Sequence, residues 1–157
     1  AAQDFDSGLV GSGASHIARP LAADFPGDAH RLDGSIRLLD GAKEGGALLH
    51  IDGSGWYGVA FQAFDAETLT VSTVRFEPGT EGWIASRDLY QTNVIAVDAS
   101  QPTEFSLLRD GTALTVSVHG ETFETVTVGA GDTAAAVLYS NVGPVWFPEL
   151  QVAVPVR

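Results

Sequence analysis

The chain has 157 residues, with 8 Lys and Arg against 20 Asp and Glu, a formal charge of −12, and neither cysteine nor methionine. Without cysteine there is no disulfide framework, thiolate zinc site, thiol nucleophile or iron–sulfur cluster. The negative charge opposes nucleic acid and anionic membranes as partners, and no apolar run approaches the ~20 residues that cross a bilayer. Hydrophobic residues make up 45% and charged ones 18%, which fits a folded core rather than an acidic disordered tail. The length is that of one domain, expected over 1–157, with 1–24 as an extended segment packed on it. Lys43 is the sole lysine. Two explanations of the acidic surplus stay open, a GC-rich coding bias and a high-salt environment. The opening Ala1-Ala2-Gln3 looks like the product of signal-peptide cleavage and predicts a periplasmic or extracellular protein.

In chain order, residues 14–25 are read as a single helical turn or an extended first strand. From Ala29 apolar residues recur at period two, the signature of strands. Leu32, Gly34, Ile36 and Leu38 alternate with Arg31, Asp33, Ser35 and Arg37, up to the turn Asp40-Gly41. Residues 46–51 form the next run and close at Asp52-Gly53. Tyr57, Val59, Phe61 and Ala63 mark another, and residues 69–76 a fourth, broken by Pro78-Gly79. The stretch 81–98 is mixed and carries Trp83 and Tyr90. Residues 103–109 enter Asp110-Gly111, a strong hairpin signal, and 112–118 return to a second turn at His119-Gly120. Residues 122–128, 134–139, 145–147 and 150–154 complete the series, with Pro148 predicting a bulge or an edge. No segment shows a helical stripe. Ten to twelve short strands predict an all-β antiparallel sandwich or barrel.

The succession Arg31-Leu32-Asp33-Gly34-Ser35-Ile36-Arg37, Gly45-Gly46-Ala47-Leu48-Leu49-His50-Ile51 and Trp56-Tyr57-Gly58-Val59-Ala60-Phe61-Gln62 resembles the concanavalin A-like, laminin G-like jelly rolls. So do Phe105-Ser106-Leu107-Leu108-Arg109-Asp110-Gly111 and the closing strands around Tyr139 and Trp146. The resemblance covers residues 25–154. It implies two curved antiparallel sheets and a superfamily that includes lectins, carbohydrate-binding modules, glycoside hydrolases and adhesion domains. The Glu-x-Asp-x-Glu strand of the laminarinase-type hydrolases is absent. Glu121 and Glu124 are the nearest acidic pair, and their spacing predicts opposite faces of a strand. Legume-lectin-like metal loops have no clear counterpart.

The four histidines, His16, His30, His50 and His119, show no metal-ligand spacing, so no metal site is expected from them. Oxygen groups at Asp24, Asp28 and Asp52 are where a structural calcium would find ligands, but turn chemistry explains them without an ion. No cofactor is expected. Gly11-Ser12-Gly13 and Gly53-Ser54-Gly55 are loops rather than nucleophile elbows, and Gly8, Gly11 and Gly13 lack the helix a phosphate cradle needs.

Alternation places polar groups opposite the core-facing residues. Arg37, His50, Gln62 and Arg75, on four successive strands, are predicted to share the face away from the core. Such a face would offer planar multidentate donors to sugar hydroxyls, with Trp56 and Trp83 as stacking platforms. The expected function is therefore a non-catalytic carbohydrate-binding module of an exported protein, with a glycan as partner. A structural subunit docked on a protein partner and a glycoside-processing enzyme are the alternatives.

Overall fold

The computed structural model describes residues 2–5, 8–10, 16–20, 27–39, 41–65, 68–76, 87–96, 101–141 and 143–153. The described residues form fourteen strands and no helix. The first seven are β1 (Ala2–Phe5), β2 (Gly8–Val10), β3 (His16–Pro20), β4 (Ala29–Leu38), β5 (Glu44–Ile51), β6 (Gly55–Ala63) and β7 (Thr68–Phe76). They are followed by β8 (Arg87–Ala96), β9 (Thr103–Asp110), β10 (Ala113–Val118), β11 (Glu121–Thr127), β12 (Thr133–Asn141), β13 (Val145–Phe147) and β14 (Leu150–Ala153). The expected ten to twelve strands become fourteen. The excess lies in the N-terminal stretch, which supplies three strands of its own, while β13 and β14 match the two runs expected on either side of Pro148.

Two antiparallel sheets result. One has eight strands, ordered β1-β14-β4-β9-β10-β11, with β13 bridging β4 and β2. The other has six, ordered β3-β12-β5-β6-β7-β8. The N-terminal stretch pairs with both: β1 and β2 join the first sheet, and β3 joins β12 in the second. The hairpin signals hold. At the β10–β11 turn His119 has φ 52° and Gly120 φ 77°, the two left-handed residues that a type I′ turn requires.

The core lies between the sheets. Leu32, Ile36, Phe105, Leu107, Leu114 and Val116 of the eight-stranded sheet meet Ala47, Leu49, Ile51, Val59, Phe61 and Val71 of the six-stranded one. Phe105 sits between Phe61 and Phe147, with ring centroids 5.8 Å and 6.4 Å away. The strands of the two sheets differ in a way that matters. Along β9 and β10 buried residues alternate with exposed or half-buried ones, the pattern of a sheet wetted on one face. Along β5 the residues from Glu44 to Leu49 are all buried, so the six-stranded sheet is covered on both faces there.

In β11 a bulge intervenes. The register shifts between Val116 and Ser117, so that Glu124 pairs with Val116 and Glu121 with Val118. Both valines face the core. One extra residue reverses the parity of the strand, so Glu121 and Glu124 share a face and the predicted opposition is corrected.

At one end of the core the sheets are tied by a buried cation. Arg109 continues the inward-facing row of Phe105 and Leu107 and is fully buried. Its Nε donates to the Gly111 carbonyl at 3.0 Å and its NH1 to Thr133 Oγ1 at 2.7 Å. Its NH2 donates to the carbonyls of Gly129, at 3.1 Å, and Gly131. Thr133 opens β12 in the opposite sheet, so one guanidinium spans the sandwich. A planar group with five donors can satisfy this many acceptors where lysine cannot. Burial lowers the Arg109 pKa, and Asp28 and Asp132 oppose that shift.

His30, the cross-strand partner of Arg109, is also fully buried and lies 3.0 Å from Thr133 Oγ1 through Nε2. Burial, and then the adjacent Arg109 charge, push its pKa from 6.5 down to about 4 against an opposing pull from Asp28. The folded imidazole therefore stays neutral where the unfolded one takes up a proton. Stability held above pH 6.5 should decline as the pH falls toward 4, by up to about 1.4 kcal/mol per pH unit. Urea midpoints between pH 7 and 4 should show a shallower slope for His30→Gln than for the native chain; equal slopes would remove His30 from the acid response. Arg109→Met should cost about 3 kcal/mol or more, because several buried acceptors lose their donor. Arg109→Lys should recover less than half of that loss in the same denaturation assay.

Candidate functional site

The second face of the six-stranded sheet collects residues of even parity on β5 and β6. Register places Glu44 opposite Gln62, Gly46 opposite Ala60, Leu48 opposite Gly58 and His50 opposite Trp56. From β7 the same face takes Thr70, Ser72, Val74 and Phe76, and from β12 it takes Ala135, Val137 and Tyr139. Leu48, Ala60, Val74, Phe76, Val137 and Tyr139 form a second apolar cluster here, with Trp56 packed against it.

This face is concave. Phe76 and Tyr139 lie three strands apart, about 14 Å at the usual strand spacing of ~4.8 Å. Their rings nevertheless meet edge to face with centroids 5.8 Å apart. The approach is possible because the strands between them carry Gly46, Gly58 and Ala60. A Cβ at Gly46 would lie 2.7 Å from Tyr139 Cε1 and would also collide with the Val59 carbonyl. The Tyr139 ring thus lies over Gly46, and the centre of the face is filled: Leu48, Val74 and Tyr139 are fully buried.

Apart from Ser72, buried opposite Ala60, the polar groups of β5 and β6 stand at the two ends of the trough, about six residues apart on β5, or roughly 20 Å. At one end Glu44 is buried, with 4% of its surface exposed. Its Oε1 accepts from Gln62 Nε2 and its Oε2 accepts from the Tyr139 hydroxyl at 3.1 Å. At the other end the rings of His50 and Trp56 stack, with centroids 4.3 Å apart and planes 13° from parallel. Both are half-buried.

The predicted polar line is thus split. His50 and Gln62 share the concave face, and Trp56 joins them there. Arg37 does not, because β4 belongs to the eight-stranded sheet, where Arg37 pairs with Trp146 on the outer face. Nor does Arg75. It pairs with Tyr57 and shares the core-facing parity of Val59 and Val71. Its Nε donates to the Tyr57 hydroxyl at 3.1 Å, its NH2 donates to the Ser54 carbonyl at 2.7 Å, and its guanidinium lies 5.6 Å from the Tyr57 ring centre. Ser54 Oγ lies 2.6 Å from the same hydroxyl, so Arg75 closes off the core beneath the β5–β6 turn. Trp83 and Asp24 lie outside the described residues. Among the described residues no group of three His, Cys, Asp or Glu side chains is placed to hold a metal ion.

Sequence reasoning passed over Glu44 and Tyr139. The signal for Glu44 was present: it has the same parity as His50, in a strand otherwise made of Gly, Ala, Leu and Ile. Nothing in the sequence paired it with Tyr139, 95 residues away. Tyr139→Phe should lower stability by about 1–2 kcal/mol, because Glu44 loses a buried donor. Gly46→Ala should cost about 3 kcal/mol or more, because the added Cβ would collide with the Val59 backbone carbonyl as well as with the Tyr139 ring. Urea unfolding measures both, and a Gly46→Ala protein of native stability would overturn this close packing at the glycine.

No family model matches the chain, and no curated protein matches it in sequence. Solved structures do resemble it. A carbohydrate-binding module, CBM66 from Bacillus subtilis, has a TM-score of 0.70 at 12% identity, over 98% of this chain and 92% of that one. A beta-fructofuranosidase from Aspergillus kawachii has a TM-score of 0.67 at 14% identity; the match takes in all of this chain but 28% of the enzyme. The galectin LEC-6 from Caenorhabditis elegans has a TM-score of 0.57 at 10% identity, over 94% of this chain and 96% of that one. At such identities the likeness concerns architecture, and the architecture is a two-sheet antiparallel jelly-roll sandwich of the concanavalin A-like kind.

Proposed function

We propose that the chain is a non-catalytic carbohydrate-binding module that engages a glycan at the ends of the concave face. The observation that carries this reading is the His50–Trp56 stack. Two half-exposed rings lock each other in place, so a sugar can lie against a flat apolar surface with little further loss of side-chain freedom. His50 adds ring nitrogens for hydroxyl groups, and Gln62, held by Glu44, presents a carboxamide in fixed orientation at the far end. Glu44 is engaged by Gln62 and Tyr139, which suits an orienting role rather than attack on a glycosidic bond. Arg37, on the outer face of the eight-stranded sheet, and Arg75, turned toward the core, stand outside this assignment. The resemblance to a carbohydrate-binding module and a galectin supports the ligand class, and the match to a fructofuranosidase suggests fructans among the candidates. Export to the periplasm or the extracellular space follows as part of the same proposal, since polymeric glycans are met there. In the fructofuranosidase the similar sandwich is part of a much longer chain, which favours, as a second reading, an accessory unit docked on a partner domain.

Affinity electrophoresis through gels containing fructan, β-glucan or chitin-type polymer should retard the native protein on at least one of them. Trp56→Ala and His50→Ala should each weaken that binding at least tenfold, about 1.4 kcal/mol, while the far-ultraviolet circular dichroism stays native. Retardation by none of the polymers would end the carbohydrate reading. Undiminished binding by both variants would move the site away from the stack.

A further inference from the structure

We propose that the outer face of the eight-stranded sheet carries a second binding site, for a short neutral hydroxyl-rich chain laid across the strands. The proposal rests on the reading of this protein as a glycan binder but not on where the first glycan sits.

A depression of about 540 Å³ lies on this face. Its floor follows from register. Gln151 of β14 pairs with Asp33 of β4, Asp33 with Ser106 of β9, and Ser106 with Ser117 of β10. Directly paired residues share a face, so the four side chains form one polar row perpendicular to the strands. At ~4.8 Å per strand the row is about 14 Å long, enough for a short oligosaccharide. Ser106 and Ser117 are small, and the furrow exists because larger residues rise beside them, with Arg31 on one side and Glu104 and Glu149 on the other.

The chemistry of the lining selects the ligand class. Asp33, Glu104 and Glu149 outnumber Arg31 three to one, and Arg31 Nε is paired with Asp33 Oδ1 at 2.8 Å. A net negative wall rejects anionic ligands. No group of three carboxylates or histidines among the described residues is close enough to cage a metal ion. The one aromatic side chain of the lining, Phe105, is 3% exposed and serves the core, so a flat ring has nothing to stack on. What remains is an array of acceptors and small hydroxyls at strand spacing, which suits vicinal hydroxyl groups. One register step further along the same face, opposite Glu104, the Ser35 hydroxyl is buried with no hydrogen-bond partner among the described residues, an unfilled polar position beside the furrow.

The two faces point away from each other, so a chain with both sites would hold two strands of a polysaccharide, or one strand twice, and gain avidity without new contacts. Amide chemical shifts of ¹⁵N-labelled protein, titrated with an inulin-type fructo-oligosaccharide and with chitohexaose, separate the sites. The expected result is saturable shifts at Ser106, Ser117 and Gln151 with one of these probes, in the native chain and equally in Trp56→Ala. Ser106→Tyr, which fills the furrow from an outward position, should weaken those shifts at least tenfold. Glu149→Ala, an exposed loop substitution, should weaken them severalfold without endangering the fold. Shifts confined to His50, Trp56 and Gln62 would overturn the furrow site and leave the concave reading standing. Shifts at the furrow alone would uphold this site and overturn the concave one. Silence with both probes would overturn the furrow site, and the gel retardation assay would decide the concave one separately. Binding of oligogalacturonate in the furrow would overturn its assignment to neutral ligands.

Discussion

The placement of His50, Trp56 and Gln62 depends on the six-stranded sheet burying apolar side chains on both of its faces. A sheet at the surface of a sandwich needs one apolar face, toward the core. Here β5 and β6 supply two. Leu49, Ile51, Val59 and Phe61 enter the core, while Leu48 and Ala60 join Val74, Phe76, Val137 and Tyr139 on the concave side. Gly46 makes the second layer possible by letting the Tyr139 ring lean over the backbone, while at Gly58 the backbone of β5 approaches too closely for any side chain. The cost falls on polar recognition: the middle of the trough is occupied by hydrocarbon and the buried Ser72, and the half-exposed hydrogen-bonding groups of β5 and β6 stand at its two ends.

That arrangement ties the fold to the proposed activity. The Glu44–Gln62–Tyr139 cluster needs full partnering because a buried carboxylate without donors is expensive. Once partnered, it fixes the Gln62 carboxamide. At the other end, stacking fixes His50 and Trp56. Rigid polar and aromatic groups at the rim of a filled trough make a preorganised surface, and preorganisation is the largest advantage such a small site can offer. The eight-stranded sheet follows the opposite rule. It is apolar inside and polar outside, and its furrow arises from small polar residues in register rather than from packed rings.

Arg109 and His30 occupy a third region, the end where the sheets would otherwise part. Their burial is tolerated because Thr133 and three backbone carbonyls accept from the Arg109 guanidinium, while His30 Nε2 lies at hydrogen-bond distance from the Thr133 hydroxyl. Arg109 could be read from the sequence as the end of a strand before Asp110-Gly111. Its role as a tie could not, because its acceptors at Gly129, Gly131 and Thr133 arrive from a loop and strand 20 to 24 residues later.

The sequence by itself determined the strands, most of their turns and the all-β class, because period-two alternation and left-handed turn residues are local properties; the expectation of two sheets came from the resemblance to jelly rolls. Parity within a strand, set by the backbone alone, also put His50 opposite Leu49 and Ile51, and Gln62 opposite Val59 and Phe61. Tertiary structure decided which strands stand side by side. It carried Arg37 to the other sheet, and the pairing of Tyr57 with Arg75 turned that arginine inward although Val74 and Phe76 flank it with apolar residues that suggested the reverse. A strand with hydrophobic residues of both parities gives no local sign of which set meets the core. The bulge in β11 adds a second ambiguity, because one extra residue inverts everything after it. Faces are thus chosen by long-range pairing and packing, and those are energies of the assembled sandwich rather than of any segment.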